Sequence, residues 1–188
     1  MTQSIRVCIF LRKENILHPI HYILDSQVID SLDEALRELI SACFTKPQDI
    51  VFKTRRYFID PPKHRWYCID ESGKILAHIA VHEKTIRSQD KKMIVCGISE
   101  VCVAPGNRGQ GYVKSILKDI HTFMKNEGIK FSLVSGEVDI YQSSGYRSID
   151  NLVFRNQGKI EKFPKAMMKE LNDEKWPTHQ VFLEGSYF

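Results

Sequence analysis

Between residues 101 and 117 the chain reads VCVAPGNRGQGYVKSIL. A β-branched run meets a proline, three glycines and an arginine follow within six residues, and a helical pattern starts at once. A helix start carries unpaired N–H groups and the positive end of the macrodipole, so a strand–loop–helix of this kind binds anions, phosphates above all. Glycines let the backbone approach a ligand and adopt positive φ, and Arg108 adds a fixed cation. Two phosphate-loop templates fail. A Walker loop would accept Gly106 and Gly111, but Tyr112 stands at the lysine position and Lys114–Ser115 come two residues late. A dinucleotide fingerprint would accept Gly109 and Gly111, but Lys114 stands where the last glycine belongs.

The elements around the loop follow from periodicity. Residues 4–11 (SIRVCIFL) read as a strand. A helix is expected over 31–44, where Ser31 and Glu34 have capping-box spacing and Leu32, Ala35, Leu36, Leu39, Ile40 and Cys43 form one apolar face. The segments 65–70, 74–86 and 93–104 read as three strands joined by the turns DESG and RSQDKK, an antiparallel meander. From position 112 the stripe Val113, Ile116, Leu117, Ile120, Phe123 and Met124 predicts a second helix, with Gly128 as its C-cap. Residues 129–135 (IKFSLVS) form a strand that the crossover makes parallel to 93–104. A short helix over 137–144 closes at Gly145, and strands are expected near 146–155 and 179–186 around a polar, proline-flanked stretch. The fold class is α+β, a mixed α/β domain: a central mixed sheet, an antiparallel meander followed by a parallel crossover, flanked by helices. A length of 188 residues suits one domain spanning the whole chain, with 64–150 as its best-defined core.

A third template fits the loop. V-x-V-x-P-x-x-R-x-x-G-x-G/A is the acetyl-CoA loop of the GNAT acetyltransferase superfamily, and Val101, Val103, Pro105, Arg108 and Gly111 fall in register. Only Val113 departs, where glycine or alanine is usual. Because Val113 also lies in the helical stripe, its side chain is expected to point into the core and leave its N–H available. The order of elements resembles the same superfamily. In the middle of the chain, AHIAVHEKTI and VCGISEVCVAPGNRGQG are also similar to the aminoglycoside 2'-N-acetyltransferases. The resemblance implies a set of roles. The main chain of Val101 and Val103 would pair with the pantetheine amides, with Cys102 on the thioester path. The N–H groups of Arg108, Gly109, Gln110, Gly111, Tyr112 and Val113 would hold the pyrophosphate. Glu100 stands where the superfamily often carries a carboxylate base. Tyr141, in IYQSSGY, matches the pattern L-Y-x-x-x-G-[FY] and would be the general acid that protonates the leaving thiolate. A hydrogen-bonded strand carboxylate at Glu100, a packing residue at Tyr141 and a buried inert thiol at Cys102 are the plainer alternatives.

The implied function is an acetyl-CoA-dependent N-acetyltransferase acting on a small amine, aminoglycoside-like compounds leading, by direct attack in a ternary complex. Protein acetylation, another acyl group, or a non-catalytic acyl-CoA sensor are the other readings. The net charge of +4, from 27 basic and 23 acidic residues, is spread along the chain and gives no reason to expect nucleic acid. No signal-like or bilayer-length apolar segment is present, so a cytoplasmic protein without a membrane partner is the default. The five cysteines, Cys8, Cys43, Cys68, Cys96 and Cys102, have no metal or paired spacing and read as reduced core thiols. His78 and His82 share one strand face without metal-site spacing, so no metal is expected. The last segment, 156–188, could complete the sheet or pair with a second copy in a homodimer.

Overall fold

The computed structural model describes residues 11–12, 15–16 and 18–188. In chain order its elements are β1 (Leu11–Arg12), β2 (Asn15–Ile16), β3 (Ile20–Leu24), α1 (Asp30–Cys43), β4 (His64–Ile69), β5 (Ile75–Ser88), β6 (Lys91–Val103), α2 (Tyr112–Asn126), β7 (Phe131–Ser135) and α3 (Val138–Tyr141). Then follow β8 (Arg147–Ser148), β9 (Leu152–Asn156), β10 (Lys159–Lys162), β11 (Ala166–Glu170) and β12 (Val181–Leu183). The chain divides into two compact units, residues 1–80 with 100–116, and residues 81–99 with 117–188. The expected strand over 4–11 lies, apart from Leu11, outside the described residues, as does Cys8.

In the first unit, β1 and β2 form a two-residue antiparallel ribbon. β3 pairs antiparallel with β4, from Ile20↔Cys68 to Leu24↔His64, and β4 lies beside β5. Helix α1 covers this sheet with the face its periodicity announced. Leu36, Leu39 and Ile40 are buried with Phe52, Ile75, Cys102 and Ala104 in one apolar cluster. The capping box does not form. The helix begins one residue before Ser31, with Ile29 as N-cap and no side-chain cap bond. Asp30 and Asp33 occupy the first turn instead, where a negative charge meets the positive end of the dipole. The proline-rich stretch after α1 contains a 3₁₀ segment, Pro47–Lys53.

In the second unit the strand order is β10-β9-β12-β5-β6-β7-β11-β8. Two residues join β5 to β6, so these strands run antiparallel. The crossover through α2 makes β6 and β7 parallel, in the register Cys96↔Ser132, Gly97↔Leu133, Ile98↔Val134. Helix α2 ends as its sequence predicts: Gly128 is left-handed at φ +80, and Ile129 N–H donates to Met124 O at 2.9 Å. The expected strand near 146–155 is two strands, β8 and β9. Strand β11 (AMMKE) lies between β7 and β8, antiparallel to both. Its Ala-Met-Met core favours helix by propensity. Pairing on both sides, through Met167↔Val134 and Met167↔Ser148, overrides that preference. The core here gathers Phe131, Leu133, Phe154, Met168, Trp176 and Leu183 with their neighbours.

Candidate functional site

In the first unit, β6 delivers the glycine loop to the start of α2. Ala104 N–H closes on Leu76 O at 2.8 Å, and Asn107 N–H on Ala104 O at 2.8 Å, so the main chain turns in one 3₁₀ step. Gly109 and Gly111 then take φ +77 and +88, the left-handed region that L side chains rarely adopt. A Cβ at either would meet nothing within 4 Å, so these glycines answer a backbone requirement rather than crowding by the protein. Among the described residues, the N–H groups of Arg108 to Val113 donate to no main-chain carbonyl. Residues 108–111 are exposed. A run of unspent donors at the positive end of a fifteen-residue helix is the arrangement a diphosphate requires. Tyr112, 3% exposed and stacked on His18 at 6.4 Å, opens the buried stripe of α2. Val113 is half-buried, so the expected core role passes to its neighbour.

Glu100 has φ +41 in the middle of a strand. For a residue with a Cβ this is an uncommon conformation. The residue is buried; its Oε1 accepts the Phe58 N–H at 3.3 Å, and its carbonyl lies 3.1 Å from His78 Nδ1. Val101 and Val103 beyond it are half-buried. Val103 O accepts from Arg108 Nε at 3.4 Å and from Cys43 Sγ at 3.3 Å. The side chain of Cys102 sits in the α1 cluster, and burial raises its thiol well above the ordinary value. Cys102 is therefore a poor nucleophile. Its neighbour Cys43 goes the other way: the hydrogen bond from Cys102, with Arg108 beside it, brings Cys43 down to about 6. Cys68 and Cys96 are free and buried, as core thiols should be.

Tyr141, in the second unit, closes α3. It is buried, and burial pushes its hydroxyl up to about 12, so it holds its proton at neutral pH. Its ring lies against Gly136 and meets Tyr146 edge-on at 5.8 Å. The Tyr146 hydroxyl is 2.6 Å from Ser132 Oγ and 2.9 Å from His121 Nε2. Burial, with Lys169 adding repulsion, holds His121 down to about 3, so its ring is neutral. The left-handed Gly145 ends the turn, as expected.

Several contributors carry no signal in the sequence: Arg65, Asp25, the Phe58 main chain, and Cys43 with its lowered thiol pKa. His78 shares a strand face with His82 by sequence, but neither its burial nor its partners are announced by any local pattern. Among the described residues, no group of histidine, cysteine and acidic side chains could hold a metal ion, and no helix is long and apolar enough to cross a membrane.

Comparison with known proteins gives the site its context. No curated protein sequence matches the chain. Among solved structures, the fold is shared with the GNAT family N-acetyltransferase YhbS from Escherichia coli, determined in complex with CoA: TM-score 0.64, 15% identity, 92% of this chain and 93% of that chain covered. A GNAT family acetyltransferase from Brucella melitensis, in complex with acetyl-CoA, aligns with TM-score 0.58 and 14% identity over 87% of this chain and 95% of that one. ElaA from Escherichia coli aligns with TM-score 0.56 and 18% identity over 80% and 98%. The family model described as an acetyltransferase (GNAT) domain matches residues 29–149, more than half of the chain and all of the loop and Glu100. The strand, the glycine turn and the helix start are thus parts of a larger agreement, and the chain belongs to the GNAT family of acetyltransferases.

Proposed function

We propose that the protein moves an acetyl group from acetyl-CoA to a primary amine by direct attack within a ternary complex, the acceptor being a small, aminoglycoside-like amine. The observation that carries this reading is the row of unspent N–H groups from Arg108 to Val113 around two left-handed glycines at a helix start. These would take the pyrophosphate, and the main chain of Val101 and Val103 would pair with the pantetheine amides as a short added strand. The CoA and acetyl-CoA found in the two related structures support that choice of ligand.

A primary amine of pKa ~10 is almost wholly protonated at neutral pH and must lose a proton before it attacks. Glu100 takes that proton, directly or through water; the Phe58 N–H orients its carboxylate. The amine nitrogen then bonds to the thioester carbonyl carbon as the carbon–sulfur bond breaks. Tyr141 gives its proton to the departing thiolate, a role its buried, protonated hydroxyl suits. General acid–base groups of this kind contribute ~10²–10⁴-fold each.

The test is calorimetry with acetyl-CoA, followed by a thiol-release assay over a broad amine panel. We expect saturable binding, turnover of at least one amine, and losses of ~10²-fold or more in kcat for Glu100→Gln and Tyr141→Phe. No heat of binding overturns the reading. Binding with no thiol release would leave a coenzyme-binding module, and full turnover by both variants would remove the assigned roles.

A further inference from the structure

We propose that His78 is a positioning residue for Glu100: its Nδ1–H holds the Glu100 carbonyl, its tautomer is dictated by the buried Arg65–Asp25 ion pair, and together they fix the left-handed main chain that aims the Glu100 carboxylate. The inference rests on the reading of Glu100 as the base.

The tautomer follows from what can donate. Arg65 is wholly buried, and its Nη1 lies 3.0 Å from His78 Nε2. A guanidinium has donors and no acceptor, so Nε2 must present its lone pair. A neutral ring then carries its proton on Nδ1, 3.1 Å from Glu100 O, and that N–H donates. Burial and the neighbouring Arg65 both push His78 well below its ordinary value, which keeps the ring neutral. Arg65 cannot rotate away. Its Nε donates to Asp25 Oδ1 at 2.6 Å and its Nη2 to Arg56 O at 3.0 Å. Asp25 is gripped in turn by Arg56, through Nε at 2.9 Å and Nη2 at 2.9 Å. Every link is a charge-assisted or buried hydrogen bond of ordinary length, so the ring has one orientation.

The Glu100 carbonyl needs such a partner. Its residue is left-handed in mid-strand, where a non-glycine persists only if its surroundings over-determine it. A side-chain donor supplies that constraint at the carbonyl, separately from the carboxylate, whose Oε1 accepts the Phe58 N–H. His78 itself is wholly buried, in a strand, and is placed to act through the main chain rather than on a substrate.

Two variants separate the roles. Asparagine places an amide N–H near the Nδ1 position and keeps the bond to Glu100 O, whereas glutamine reaches the Arg65 end and leaves that carbonyl unpaired. With the best amine of the panel, we expect His78→Gln to lose ~10–100-fold in kcat, the effect of misplacing a reacting group by ~1 Å. Its calorimetric Kd for acetyl-CoA should stay within threefold, and His78→Asn should stay within threefold of wild-type kcat. Adding His78→Gln to Glu100→Gln should cost nothing more, because both act through one carboxylate. A folded His78→Gln with wild-type kcat, or an undiminished loss in the Glu100→Gln background, overturns the positioning role alone. Full turnover by Glu100→Gln, or no turnover of any amine by wild type, overturns the base reading and this inference with it. Should His78→Gln not fold, long-range ¹H–¹⁵N correlations on wild-type protein decide the tautomer: a protonated Nδ1 is expected, and a protonated Nε2 or an imidazolium overturns the proposal.

Discussion

Gly136 is the most sensitive point beside Tyr141. A Cβ built there falls 2.3 Å from Tyr141 Cε2, 3.0 Å from Cδ2 and 3.4 Å from Cζ. Carbon atoms settle at about 3.5–4.0 Å, so in Gly136→Ala the ring must retreat by more than ~1 Å. It has little room: Tyr141 is 6% exposed and Tyr146 stands edge-on behind it, held by Ser132 and His121. Nor does the backbone yield freely, since Gly136 N–H donates to Lys165 O at 3.2 Å. Overpacking of this kind costs ~1–3 kcal/mol, and each kcal/mol lowers Tm by ~2–4 °C in a chain of this size. If Tyr141 is the proton donor, the same ~1 Å displacement lowers kcat by up to ~10²-fold, bounded by the loss in Tyr141→Phe. Thermal melts and the thiol-release assay read the two effects separately. In a Tyr141→Leu background the clash is relieved, so Gly136→Ala should then cost less than ~0.5 kcal/mol. A Gly136→Ala protein with wild-type Tm and kcat refutes the packing and the role together; a lowered Tm with unchanged kcat refutes the role.

Two further outcomes follow from ionisable groups whose surroundings shift their titration. Cys43, held at about 6 by the Cys102 thiol and Arg108, should be alkylated by iodoacetamide with a midpoint near that pH, ahead of Cys68 and Cys96, both pushed up to about 12. Peptide mass spectrometry after a pH series reads this, and a Cys43 midpoint at the ordinary thiol value would contradict the stabilisation of its thiolate by Cys102 and Arg108. His121 is held at about 3 in the folded protein, below its ordinary value of 6.5, so between these pH values the unfolded chain takes up a proton that the native state refuses. Its contribution is therefore fully present above pH 6.5 and is lost as pH falls toward 3, on the order of a few kcal/mol across the window. Urea unfolding against pH should show a slope reduced by about one proton in His121→Gln, and identical slopes would be inconsistent with a buried neutral ring.

What was legible in the sequence was local. The loop could be read because proline, the left-handed glycines and Arg108 each answer a need within a few residues of themselves. Helix α2 could be read because Ile116, Leu117, Ile120 and Met124 repeat at its period and end at Gly128. The capping box at Ser31 and Glu34 misled because tertiary charges took over: Asp33, in the same turn, is held by Arg37 at 2.7 Å and Arg56 at 2.6 Å. Strand β11 was hidden because its residues take their conformation from partners distant in sequence, in β7 and β8. Arg65 and Asp25 are forty residues apart and carry no mutual spacing signal. Alternation alone put Glu100 and Cys102 on one face, yet it could not reveal a left-handed residue within β6.

That residue separates the structural from the chemical contents of the fold. Among the described residues, Gln89, Gln157 and Lys165 are the other non-glycines with positive φ, and all three are exposed at turns where the chain must reverse. Glu100 reverses nothing; it is buried and in mid-strand. Glycine would adopt φ +41 without the penalty of ~1–3 kcal/mol that a side chain incurs there. A buried carboxylate adds a desolvation cost that glycine also avoids. Stability alone therefore favours glycine at position 100 twice over, and the chain instead surrounds a glutamate with the Phe58 N–H, the His78 ring and a wholly buried arginine. Such an arrangement makes sense if the oxygen atoms at the end of that side chain are wanted where the strand bends, and that is why the position is read through its chemistry and the loop after it through its backbone.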